Sequence, residues 1–308
     1  MSTEARIGAT VVDPHSELHS ELTSDPHSDP HHGEPMSVTT LGRFTVTPVL
    51  DSVVRRPAGL LYSRTPAERW AQHPDMLADE GQVEYFFGGY LVRGGDRTIL
   101  VDAGVGPDGW RAPSGAVIPG GFLPDAMRVA GIDVAEVTDV VLTHLHADHV
   151  GWVATGGKAT FPGATIRCHR ADWAHFVEGD TPDDVARTLL APLADRVECW
   201  DGDGPLAPGV DLLHTPGHTP GSCSVVVSGD DGSRVMLLGD VVHCPVELLD
   251  DEWESIADMD PDLALATRSR LNAELEGAPA LIGAAHFPAL RFGRLLASPT
   301  GRRWQPVG

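Results

Sequence analysis

Basic side chains are scarce in this chain: Lys and Arg total 22 against 44 Asp and Glu, a formal charge of -22 over 308 residues. Proteins bind nucleic acid by displacing counterions with clustered Lys and Arg, so this balance excludes nucleic acid as the main partner and disfavours a polyanionic substrate. Only Arg291, Arg294, Arg302 and Arg303 gather in one stretch, and they read as a solvated face. Cysteine is sparse as well. Cys168, Cys199, Cys223 and Cys244 form no CxxC pair and no zinc-knuckle or disulfide-scaffold spacing, which fits reduced thiols and a cytoplasmic location. No apolar run approaches the roughly 18 residues of a membrane span, and no basic start is followed by an apolar stretch, so neither a membrane partner nor a secretory signal is expected.

Aromatic residues are missing altogether from residues 1–37, where DPHSELHSELTSDPHSDPHHGEP repeats His, Asp, Ser and Pro. Such a segment buries too little apolar surface to offset the entropy of ordering, so it is expected to be a disordered tail. Its histidines, His15, His19, His27, His31 and His32, offer at most weak metal scavenging. Residues 38–308 have ordinary globular composition, and the chain is long enough for a sizeable core.

Period-2 patterning predicts strands at 43–49, 83–93, 98–101, 139–143, 165–168, 210–213, 222–228, 235–238 and 280–285. Helices are predicted at 123–130, 171–178, 182–194 and 261–275, the last opened by Asp260 as a cap and closed by Gly277. Strands interleaved with helices imply a layered α/β body. Three of the strands run into short polar loops, in ILVDAG, VVLTHLHADHVGW and VMLLGDVVH. Loops at strand ends are where a rigid sheet commonly positions chemistry.

The densest signal is Thr143-His144-Leu145-His146-Ala147-Asp148-His149. If the strand continues through His146, alternation puts His144 and His146 on one side, and the following turn presents Asp148 and His149 beside them. Imidazole and carboxylate suit zinc and other divalent transition ions, and four such residues in six positions point to metal rather than to packing. Further donors end later strands: His218 in HTPGHTPGS, Asp240 in LLGDVVH and His286 in GAAHFP. Each alone is as compatible with a structural role; their shared strand-end setting is the argument.

These ordered motifs, HLHADH, PGHTPGS, a GD after an apolar strand and a final His, resemble those of the metallo-β-lactamase superfamily over about residues 80 to 290. The resemblance implies a four-layer αββα sandwich with the site along one edge of its two sheets. It also implies two divalent metal ions, Zn2+ first with Mn2+, Fe2+ or Co2+ as alternatives. One would be held by His144, His146 and His218, the other by Asp148, His149 and His286, with Asp240 shared. Asp102 looks like the family's early Asp, which supports the metal loop. Asp148 is also expected to steer the nucleophile or take its proton. His243 is expected either to donate a proton to the leaving group or to pack behind the site. A Tyr usually stands there in the quorum-quenching lactonases that the chain otherwise resembles, and a His looks more like the methyl parathion hydrolase branch, which acts on organophosphate esters and often on lactones or aryl esters. Of the aromatics near the motifs, Trp152, Phe161, Trp173, Phe176, Trp253 and Phe287 are candidates for a pocket lining, Trp152 and Phe287 foremost.

The function so implied is hydrolysis of a lactone or related ester by a metal-activated water. The alternatives are a thioesterase or a phosphotriester or aryl esterase of the same fold, a redox member, and a non-catalytic metal-binding protein. The expected partner is a small-molecule ester or lactone, and a homodimer is the assembly considered.

Overall fold

The computed structural model describes residues 37–307 apart from 113, 114 and 181–183. The expected disordered tail falls on residues outside that range, apart from Ser37. Two seven-stranded sheets form the body, and each runs in sequence order. The first comprises β1 (Thr39–Leu41), β2 (Phe44–Pro57), β3 (Gln82–Gly94), β4 (Arg97–Val101), β5 (Asp139–Val141), β6 (Thr165–His169) and β7 (Val197–Trp200). The second comprises β8 (Gly204–Ala207), β9 (Val210–His214), β10 (Cys223–Ser228), β11 (Arg234–Leu237), β12 (Leu281–Gly283), β13 (Gly293–Ser298) and β14 (Gly301–Pro306). Pairing is parallel from β4 through β7 and between β11 and β12, and antiparallel elsewhere.

Strand alternation builds the layers, because successive side chains leave a sheet on opposite faces. Ile99 and Val101 enter the core between the sheets while Leu100 joins the outer core. In the second sheet Val225 and Val227 face inward and Val226 faces out. One outer layer packs α1 (Leu123–Val129) through Leu123 and Met127, and α3 (Asp184–Leu190) through Ala186 and Leu190. The opposite layer packs α5 (Pro261–Leu275) through Leu271 and Leu275. The arrangement is the expected αββα sandwich. Two short helices, α2 (Ala147–Val150) and α4 (Val246–Leu249), sit beside strand ends. No described helix is long and apolar enough to cross a membrane.

Strands β1, β7 and β8 lie outside the sequence-based expectation, and three further elements differ from it. Strand β2 continues eight residues past Val49, through a register shift between Leu50 and Ser52. Asp51 lies in that bulge, fully buried, and its carboxylate accepts from the backbone amides of Val105, Gly106, Gly121, Phe122 and Leu123 and from Trp152 Nε1. A polar residue that ends an apolar pattern is here the knot that ties three loops. The C-terminal stretch forms the hairpin β13–β14, and Arg302 on it donates to Asp251 at 2.8 Å. The helix expected at 171–178 is a short turn at Arg170–Asp172 followed by a π-helical turn at Trp173–Val177.

Candidate metal centre

The carboxyl ends of β4, β5, β9, β11 and β12 all open toward one region, and each chain exit there delivers a polar side chain. At the end of β4, Asp102 takes a left-handed backbone (φ 62°), a conformation that Asp adopts more readily than most residues. Its carboxylate accepts from Thr143 N at 2.8 Å and Thr143 Oγ1 at 2.9 Å, and lies 3.0 Å from His149 Nδ1. These contacts pull the chain off β5, which stops at Val141. His144 and His146 therefore stand on a loop rather than on a continuing strand, contrary to the alternation argument. They still meet, because Leu145 between them is buried in the outer core and its amide donates to Asp172 at 3.2 Å. His144 Nε2 lies 3.0 Å from His146 Nδ1. His146 opens α2, whose first turns carry Asp148 and His149.

His218 arrives from the loop after β9. Gly217 precedes it with φ 135°, and a Cβ there would meet Ala264 Cα at 2.3 Å, so only glycine lets the loop lie against α5. His218 Nε2 comes within 2.9 Å of His146 Nδ1. Asp240 follows Gly239, whose positive φ of 57° turns the chain after β11 against Thr143. Its Oδ1 lies 3.3 Å from His149 Nε2, and its Oδ2 lies 3.1 Å from His286 Nε2, 3.5 Å from His218 Nε2 and 3.8 Å from His144 Nε2. His286 Nε2 is also 3.5 Å from Asp148 Oδ2. The donor atoms gather into sets that could hold a metal ion: His144, His146 and His218; His144, His149 and Asp240; Asp148, His149 and His286; and His218, Asp240 and His243. All seven residues expected as ligands thus come together, with Asp240 between the two groups.

The hydrogen-bond network assigns the ring tautomers. His286 Nδ1 donates to the carbonyl of Phe86 at 2.8 Å, and His218 Nδ1 donates to Asp258 Oδ1 at 3.1 Å. Thr143 Oγ1, already donating to Asp102, accepts from His144 Nδ1 at 3.2 Å. In the neutral form each of these rings turns a bare Nε2 lone pair inward. Two such lone pairs converge on His146 Nδ1, where a single proton cannot serve both. Buried Asp240 Oδ1 and His149 Nε2 have no hydrogen-bond partner either. Orphaned buried donors and acceptors of this density cost several kcal/mol unless a ligand completes them, and imidazole with carboxylate is the donor set of divalent transition ions. The residues fit a metal centre.

Electrostatics point the same way. Burial, and then the neighbouring imidazoles, hold His144 and His146 well below the usual histidine range, so both are neutral. Burial alone would raise Asp240, but His286 and His149 beside it outweigh that and hold the carboxyl well below its ordinary value. His146 and Asp148 are the members only partly buried, so they mark the mouth. His243 Nε2 lies 3.5 Å from Asp240 Oδ2, and its Nδ1 lies 3.5 Å from Glu247 Oε2. Burial opposes protonation of His243, yet Glu247 and Asp240 push its pKa up to about 9.

Residues 89–286 match the family model described as the metallo-beta-lactamase superfamily. The chain belongs to that superfamily. It is an enzyme of it, a metal-dependent hydrolase. Among superfamily relatives, an N-acyl homoserine lactonase of Bacillus thuringiensis is 27% identical over 194 residues, 59% of this chain and 73% of that protein. The N-acyl homoserine lactonase AiiB of Agrobacterium fabrum is 30% identical over 176 residues, 50% of this chain and 62% of its own. Solved structures similar in fold include AidC, a dizinc quorum-quenching lactonase in complex with a product, at TM-score 0.75 and 21% identity over 89% of this chain and 98% of that one. The hydrolase AbOPH matches at TM-score 0.77 and 23% identity with the same coverage.

Several site residues escaped the sequence reading. Asp172, fully buried, accepts from Leu145 N, Thr219 Oγ1 and Gly221 N, and so fastens the two histidine loops of this superfamily member together. Burial raises its carboxyl to about 6 against these bonds. Asp258 and Glu247 stand behind His218 and His243. Among the aromatics, Trp152 and Phe161 belong to the outer core, and Phe287 packs on Trp304 away from the centre. Phe176 does reach the site, edge-on to His146 at 5.4 Å, and Phe87, unforeseen, packs on His286 at 4.9 Å.

Proposed function

We propose that this chain hydrolyses a lactone or a closely related ester through a dinuclear metal centre. In that reading His144, His146 and His218 hold one ion, Asp148, His149 and His286 hold the other, and Asp240 bridges. The observation that carries it is the convergence of these seven side chains, with Asp240 Oδ1 and His149 Nε2 left unpartnered at its middle. Zinc is the ion we assign, since four or more imidazoles with carboxylates suit its borderline character; manganese, iron and cobalt share the donor preference. When bound, the two cations lower the pKa of a water and polarise the substrate carbonyl. The lactonases among the relatives supply the substrate class. The free thiols of Cys168, Cys199, Cys223 and Cys244 support a cytoplasmic setting.

The chain's own residues supply the proton traffic. Asp148 stands at the mouth, where its carboxylate can orient the attacking water and receive its proton. Attack on the carbonyl carbon opens the ring C–O bond, and His243 returns a proton to the departing alkoxide, giving a hydroxy acid. Glu247 keeps His243 protonated for that step. Phe87 and Phe176 exclude water from the flanks of the centre. His243 in this place also favours a second reading, aryl or phosphotriester hydrolysis, because an imidazolium can neutralise a departing aryloxide or a phosphoryl oxyanion.

The test is metal analysis combined with a screen of lactones, thioesters, aryl esters and phosphotriesters on wild type and His243→Ala. Lactones should give the highest kcat/KM, and His243→Ala should lower kcat by about 100-fold or more, the scale of general-acid catalysis. Preference for phosphotriesters would replace the first substrate reading by the second.

A further inference from the structure

Behind the site, one guanidinium touches three of its supports. Arg268 lies on α5, at a position whose neighbours on the same stripe, Ala264, Leu271 and Leu275, are core residues, and only 1% of it is exposed. Its Nη1 contacts Glu247 Oε1 at 3.2 Å and donates to the carbonyl of Val241 at 3.3 Å. The same nitrogen lies 3.9 Å from Asp258 Oδ2, and Nη2 donates to the carbonyl of Trp253 at 2.6 Å. Three of these four contacts lead to the centre by one further step. Val241 adjoins Asp240 in the chain. Glu247 accepts from the amides of His243 and Cys244 and faces the His243 ring. Asp258 holds His218 in the tautomer that turns Nε2 inward.

We propose that Arg268 is a positioning residue that locks His218, Asp240 and His243 into one unit; the proposal rests on the dinuclear reading above. A buried carboxylate is costly without a counter-charge, and here two of them share one cation. The planar fork of arginine can meet two carboxylates and two carbonyls from fixed directions, whereas a lysine ammonium on its flexible stem cannot do so at once. The supports of the other metal group are independent of it: His149 leans on Asp102, and His286 on the carbonyl of Phe86. The influence of Arg268 is therefore unequal: through Asp240 it reaches both ions, and through Asp258 and His218 it reaches one of them in addition.

Arg268→Lys, loaded with zinc and titrated against a chromogenic chelator, tests this without reference to activity. One of the two ions should be released at least tenfold more readily than in wild type, within the 10–100-fold range for loss of a partner that orients a ligand. The other should change by several-fold less. In a parallel assay kcat should fall more than KM rises. Equal weakening of both ions, or no weakening of either, overturns the proposal, since a merely structural role lowers the fold's stability without choosing between ions. Asp258→Asn removes one arm while leaving Arg268 in place; should Arg268→Lys not fold, this variant must show the same asymmetry, and its absence overturns the proposal equally. Wild type that binds no zinc would instead sink the dinuclear reading itself.

Discussion

At the amino end of β5, Asp139 is wholly buried, and Arg97 Nη1 meets it at 2.8 and 2.9 Å, Arg167 Nε at 2.9 Å and Thr138 Oγ1 at 2.8 Å. Just past the carboxyl end of the same strand, Asp102, Asp148 and Asp240 crowd with His144, His146, His149, His218 and His286, and among the described residues no guanidinium enters the cluster. Burial would raise the Asp139 carboxyl, but Arg97, Arg167 and Thr138 hold it below its ordinary value. One end of the strand is electrically complete within the protein. The other keeps unmatched lone pairs, which is the mark of a place built to receive a cation. Function sits where the fold declines to neutralise itself.

The contrast breaks first at the centre. Asp240→Asn or His146→Ala should abolish stoichiometric metal and lower kcat/KM by well over the roughly 100-fold that loss of an outer partner costs. The metal-free fold should lose under about 1 kcal/mol, because both side chains contact chiefly other members of the centre and hold no strand or helix in place. Metal content, kinetics and denaturant midpoints of the same preparations read all three. A variant that keeps its metal would erase the distinction between the two ends.

At the opposite end the expectation inverts. Asp139→Ala leaves two guanidiniums facing a buried void, and a broken buried pair costs about 3–5 kcal/mol, reduced here to roughly 2–3 because Arg97 is 38% exposed. Activity of the folded fraction should stay within about twofold, as nothing at that end reaches the centre. Urea unfolding beside kcat/KM separates the two effects.

The smallest expected effect is the pH dependence of that same carboxylate. Its folded pKa is depressed below the unfolded value, so it adds stability above pH ~4 that fades as the pH drops through the folded value. Asp139→Asn should flatten the acid limb of stability below pH ~4, measured on metal-free protein so that ligand protonation does not intrude. An unchanged acid limb would mean that Arg97 and Arg167 leave Asp139 undisturbed.

The two ends were also unequally legible in the sequence. The metal-facing residues announce themselves, since histidines spaced as in HLHADH after an apolar strand have few other uses. Asp102 could be placed as a support on resemblance alone. Asp172, Asp258 and Glu247 could not, because isolated acids in an acidic chain look alike until the fold buries them. Arg268 left a faint signal: it occupies an i, i+3, i+4 stripe with Ala264, Leu271 and Leu275, where a charge is out of place. Asp51 left another by interrupting the alternation of β2, a break that in sequence looks the same whether a strand ends or bulges. The hairpin β13–β14 was hidden by arginines on its exposed faces.

The central claim is that the open end of β5 is completed by two cations. Protein purified without chelator and supplied with zinc, then desalted and measured by elemental mass spectrometry, tests it most directly. Close to two ions per chain, falling below one in Asp240→Asn, is the predicted result. A wild-type chain that retains none contradicts the account.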